Sequence, residues 1–198
     1  MKPSLLWLGL LLSLFPANLQ AQSGSENYPL RITLMDESVS LPSFQALTYS
    51  FHPAIMIGTE KKLNQHPIHQ WILSANLGFY HHATSQSALF LLPEIGYRYE
   101  PGKWYASARF GLGYSHAFYF GPEFRYEGGE IAPVSGYGQG ALIPSLALET
   151  GYRWKDKANS PAVYLLWMNN LEVPFHIYTP VHQFVGLGLS FYPFTPKS

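Results

Sequence analysis

The stretch Val181-His182-Gln183-Phe184-Val185-Gly186-Leu187-Gly188-Leu189-Ser190-Phe191-Tyr192-Pro193-Phe194 nearly ends the 198-residue chain, and its reading decides the fold. Val185, Leu187, Leu189 and Phe191 alternate with Gly186, Gly188 and Ser190. Successive side chains of a strand point to opposite faces, so this segment has one apolar face and one face of glycine and serine. A strand set between lipid and a polar lumen carries that pattern, with an aromatic near the water interface.

Seven earlier stretches repeat the period at lengths that cross a bilayer as tilted strands. Leu30 to Glu37 sets Leu30, Ile32 and Leu34 against Arg31, Thr33 and Met35. Ala54 to Lys62 opposes Ile55 and Ile57 to Gly58 and Glu60, and Ile68 to Tyr80 opposes Trp71, Leu73, Ala75, Leu77 and Phe79 to Ser74, Asn76 and Gly78. From Ala88 to Tyr99, Leu89, Leu91, Ile95, Tyr97 and Tyr99 face outward, with Glu94, Gly96 and Arg98 inward. The stretch Lys103 to Phe118 turns Trp104, Phe110, Leu112 and Tyr114 outward and Ser107, Arg109 and Ser115 inward. Ala141 to Trp154 places Leu142, Leu146, Leu148 and Tyr152 outward against Ser145, Glu149 and Arg153. Ala162 to Phe175 turns Val163, Leu165, Trp167 and Leu171 outward. Pro93, Pro144 and Pro174 fall inside these stretches. Proline removes a ladder donor, so bulges are expected at Pro93 and Pro144, and without them the inward and outward labels of those two strands should invert.

At the other terminus, Lys2, the apolar run Leu5 to Phe15, Pro16 and the small residue Ala21 form the three-part pattern of a secretory signal peptide. Cysteine is absent, which excludes a disulfide scaffold and any thiolate metal site. Charged residues make up 12% and aromatics 16%, with zero formal net charge. That balance argues against a nucleic-acid partner and against disorder, and it requires an apolar place for the aromatics.

With these strands, the signal peptide and the repeats Leu77-Gly78-Phe79-Tyr80, Ile95-Gly96-Tyr97 and Gly111-Leu112-Gly113-Tyr114, the chain resembles the small eight-stranded outer-membrane β-barrel proteins of Gram-negative bacteria. The resemblance implies an all-β, closed, antiparallel eight-stranded transmembrane barrel, monomeric, inserted into outer-membrane lipid by the cell's insertion machinery. The expected parse is a signal peptide over 1–21, a periplasmic leader over 22–29, the barrel over 30–194 and a tail over 195–198. Such barrels have short periplasmic turns and longer external loops. The turns at 63–67, 100–102 and 155–161 are then periplasmic, and the connections at 38–53, 81–87, 119–140 and 176–180 external. Members of the family include adhesion and stress proteins, envelope anchors and enzymes that modify lipid A.

Four constellations could carry function. Arg31, Glu60, Glu94, Arg98, Arg109, Glu149, Arg153 and Glu172 all take inward positions, and an eight-stranded barrel is just wide enough for such a set to fill it as ion pairs and close it as a pore. His52, His81, His82, His116, His176 and His182 gather at external strand ends, where His81, His82, His116 and His176 could bind a metal or haem, or simply sit at headgroup depth as amphipathic residues. Ser115-His116 is the one neighbouring Ser–His pair there, but its side chains point to opposite faces, so an enzyme acting on lipid would need a cross-strand partner such as Ser85, Ser87 or His82. Tyr119, Phe120, Phe124, Arg125, Tyr126 and Tyr137 make the longest external loop a candidate recognition surface or a plug over the mouth. The expectation is a structural or surface-interaction protein without catalysis or cofactor. The alternatives are a lipid-modifying rim enzyme, a histidine-rim metal or haem protein, and a soluble lipocalin-like barrel. The last would need Leu73, Leu77, Leu112, Leu148, Leu187 and Leu189 to be covered by another layer or replaced by polar residues.

Overall fold

Period-two alternation becomes ten strands in a computed structural model, which describes residues 28–39, 51–83, 86–120, 123–127, 130–134, 138–155, 159–173 and 180–193. The signal peptide, most of the leader and the tail lie outside these residues. The strands are β1 (Leu30–Val39), β2 (Pro53–Lys62), β3 (His69–His82), β4 (Gln86–Tyr99), β5 (Trp104–Tyr119), β6 (Glu123–Glu127), β7 (Glu130–Val134), β8 (Gln139–Arg153), β9 (Ala162–Leu171) and β10 (Val181–Phe191). Eight of them close a barrel in the order β1-β10-β9-β8-β5-β4-β3-β2. β10 pairs antiparallel with β1 from Leu30 opposite Phe191 to Val39 opposite His182, so Phe191 is the aromatic that ends the closing strand.

One element departs from expectation. The connection between β5 and β8, read above as a loop, contains the hairpin β6–β7, a separate two-stranded sheet.

The proline expectation is corrected as well. Pro93 and Pro144 sit in β4 and β8 without a bulge. The β4–β5 ladder has no pairs at Leu92 and Pro93, and it resumes in the same register from Leu91 opposite Tyr114 to Glu94 opposite Gly111. Beside Pro144 the β8–β9 pairing lapses after Ser145 opposite Asn170 and returns in register at Leu142 opposite Val173, joined by two hydrogen bonds of 2.7 and 2.8 Å. A strand residue directs its N–H to one neighbour only, so each proline loses a bond on one side while the other ladder holds the spacing. No residue is inserted, and the inward and outward labels stand. Pro174 lies outside the described residues.

The two faces separate by chemistry. Leu73, Leu77, Leu112, Leu148, Leu187 and Leu189 are all 43–61% exposed on the outside. An apolar belt of that extent exceeds what soluble monomers leave uncovered, and this excludes the lipocalin-like alternative. Outward aromatics mark both ends of the belt: Trp71, Tyr97, Tyr99, Trp104 and Trp154 at one, Phe79, Tyr114 and Phe118 at the other. Trp71 meets Tyr97 edge to face at 5.7 Å. Such girdles sit at the two water interfaces of a bilayer.

Inside, the lumen is filled in tiers. Arg31, Glu60, Glu94, Arg98, Arg109 and Glu149 occupy the half nearest the short turns, Met35, Met56, Phe90, Leu92, Ile143, Leu166, Met168 and Phe184 form an apolar tier above them, and Glu37, Glu172 and His182 lie beyond it. Inward glycines make room for large neighbours. Gly78 lies opposite Phe90, Gly151 opposite Tyr105 and Gly188 opposite Tyr164, and a Cβ at any of the three would collide with the facing ring.

Candidate functional site in the lumen and at the external end

The lower tier is one network. Glu60 on β2 accepts from Arg98 on β4 at 2.5 and 2.7 Å and from Arg31 on β1. Arg31 also reaches Glu149 on β8, which accepts from Arg109 on β5 at 2.7 Å and lies 3.7 Å from Arg98. Arg109 Nε stands 3.2 Å from Glu94, whose Oε2 also accepts from Asn76 at 2.8 Å and Ser74 at 3.2 Å. Three guanidinium groups thus balance three carboxylates. Arg31 and Arg98 also lie over the rings of Tyr164 and Tyr105, at 4.4 and 4.5 Å. Of the eight charges expected in one network, six are joined. Arg153 pairs instead with Glu100 at the barrel floor, and Glu172 pairs with His182 near the opposite end.

That opposite end, from which β5 and β8 lead to the β6–β7 hairpin, is the external one by the loop rule. The upper tier holds Glu37 at the end of β1, fully buried. His182 Nδ1 on β10 donates to Glu37 Oε1 at 2.7 Å, and its Nε2 is 3.5 Å from Glu172 Oε2. Tyr80 and Ser115 each donate a hydroxyl to Glu172 Oε1 at 3.4 Å. His52 Nδ1 donates to the Glu37 backbone carbonyl at 3.0 Å, and its ring stacks on His82 with centroids 3.7 Å apart.

Of the four histidines expected to share a metal, the three described ones, His81, His82 and His116, do not converge. Adjacent residues of a strand face opposite ways, so His82 points into the lumen while His81 points out. His81 Nδ1 is 2.9 Å from Ser87 Oγ, its cross-strand partner on β4, and its ring packs 5.5 Å from Phe120. His116 is also outward, with Nδ1 3.2 Å from the Tyr114 hydroxyl and its ring against Phe118 at 4.9 Å. His176 lies outside the described residues. Among the recognition candidates, Phe120 is exposed, whereas Tyr137 and the side chains of Phe124, Arg125 and Tyr126 lie outside the described residues.

Glu37, Glu100 and His182 are inward residues absent from the expected set. Strand parity marks all three: Glu37 follows Arg31, Thr33 and Met35, Glu100 follows Glu94, Gly96 and Arg98, and His182 precedes Phe184, Gly186 and Gly188.

No family model matches the chain, and no curated protein sequence matches it. Among solved structures it is similar to the outer membrane enzyme PagL, with 10% identity and a TM-score of 0.51 over 83% of this chain and 99% of PagL. Neisserial surface protein A (NspA) is similar to the same degree, with 11% identity and a TM-score of 0.51 over 85% of this chain and 99% of NspA. The chain has the fold of the small eight-stranded outer-membrane β-barrels. This outer-membrane barrel carries its apolar belt into the lipid and keeps its charges in a lumen of its own making.

Proposed function

We propose that this barrel is a non-catalytic, monomeric surface-interaction protein: a rigid, sealed scaffold in the outer membrane that presents its external connections, the β6–β7 hairpin foremost. What supports this reading is the filled lumen. The ion-paired tier and the apolar tier leave the interior to the protein's own side chains, so the surface left for a partner is the external end. The hairpin extends the longest pair of barrel strands, the 16-residue β5 and the 15-residue β8. Replacing residues 123–134 by a short turn tests the reading. Cells expressing the variant should keep a heat-modifiable barrel and lose adherence to extracellular-matrix or glycan surfaces that the parent binds. Adherence equal to the parent's would sink it.

One observation favours a second reading, an enzyme acting on outer-leaflet lipid. His81 and Ser87 are within hydrogen-bond reach, outward and at the external end, where an acyl ester could approach from the membrane. The Ser87 hydroxyl would attack the ester carbonyl while His81 Nδ1 took its proton, the alcohol would leave carrying that proton as the acyl–oxygen bond broke, and water activated by the same imidazole would then release the fatty acid from Ser87. PagL is an enzyme on the same fold, although fold alone assigns no chemistry. If the mass spectrum of lipid A changes when the parent is expressed and reverts with Ser87→Ala, this reading displaces the first.

A further inference from the structure

We propose that Glu37, His52 and His82 bind one divalent transition-metal ion, zinc in the first instance, inside the external mouth of the barrel. The three residues come from different segments: the end of β1, the residue preceding β2 and the end of β3. Each offers a donor atom, and these atoms lie within 4.8 Å of one another. A zinc ion with bonds of about 2.0–2.2 Å would draw them in by a further ångström or so. Half-exposed His82 has room for that adjustment.

Three independent features point to a cation. The first is the unpartnered oxygen. Glu37 is fully buried, and while Oε1 accepts from His182, Oε2 has no hydrogen-bond partner and faces His52, whose Nδ1 is 3.9 Å away. A buried carboxylate oxygen left bare is costly unless something cationic meets it.

The second is the imidazole orientation. His52 Nδ1 donates to the Glu37 carbonyl, which in a neutral imidazole puts the ring's lone pair on Nε2. An imidazole fixed by a backbone carbonyl on its far nitrogen is the usual outer support of a metal-binding histidine. The chain Glu172–His182–Glu37 holds the ligating carboxylate in the same way.

The third is charge. Among the described residues neither Glu37 nor Glu172 has a guanidinium or ammonium partner, in contrast to the balanced tier below. Glu37 and Glu172 bring two buried carboxylates to the upper tier, and a divalent ion offsets them. Two nitrogens and one carboxylate oxygen select zinc and its neighbours over calcium or magnesium, which prefer oxygen. Three protein ligands leave a fourth position for water or an incoming group.

Zinc titration of the full barrel, stripped with chelator and refolded in detergent micelles, tests this by calorimetry. One ion per barrel is expected. Glu37→Gln and His82→Ala should each weaken binding at least roughly tenfold, and His182→Ala, removing the positioning residue, by roughly 10–100-fold. His116→Ala, on the outward face, should leave it unchanged. Heat-modifiable gel mobility verifies folding of each variant, and if Glu37→Gln does not fold, His82→Ala carries the test. A folded parent that binds no zinc overturns the site, as does a loss in His116→Ala equal to that in His82→Ala.

Discussion

Arg98 is 1% exposed inside the barrel, and its charge is tolerable there only because Glu60 and Glu149 lie within reach. Removing one member of a buried ion pair strands the other, so Arg98→Met should destabilise the barrel by about 3–5 kcal/mol in urea titrations followed by tryptophan fluorescence. Replacing Glu60 by leucine as well should recover part of that loss, because the pair's attraction offsets its own desolvation and little more. A double variant no more stable than Arg98→Met alone would contradict this. At the same scale, the sequence makes inward charges legible through parity, and six of the eight share one network. Parity does not tell how far along the barrel axis two inward residues stand. Strand stagger decides that Arg153 meets Glu100 and that Glu172 meets His182. Clustering at strand ends groups His81 with His82, while parity separates them.

The strand is the scale at which sequence spoke most plainly. Every barrel strand is legible in period two, because lipid outside and polar residues inside demand it from each one. Leu187 sits near the middle of β10, on the exposed face. Leu187→Arg should weaken the folded barrel by about 2–4 kcal/mol in lipid vesicles, the depth-dependent penalty for a cation at the bilayer midplane. An arginine in place of Trp104, at the girdle, should weaken it by about 1 kcal/mol or less in the same assay. Equal losses at both positions would mean that the belt is not centred as described. Gly128-Gly129 separates the two strands of the β6–β7 hairpin, a two-residue signal of a hairpin turn. Its strands are only five residues each, too short to cross a bilayer and so easily taken for loop. Pro93 and Pro144 do not shift the register. A single missing donor interrupts one ladder, and the intact ladder on the strand's other side keeps the register.

For the whole molecule, stacked tiers make the lumen a core and not a passage. In planar bilayers the protein should therefore give no stepwise conductance, and single openings that scale with protein concentration would show that the tiers part. Fold class and membrane placement follow from the apolar belt alone, whereas function does not, because the belt is common to barrels that adhere and barrels that catalyse. The seam between β1 and β10 adds a matter of timing. The first strand of the barrel has its last as mate, so both edges of the sheet stay raw until β10 is delivered, and raw edges recruit other chains. Loss of β10 would then remove far more than one stave: it would leave an open ribbon with two sticky margins and no way to finish.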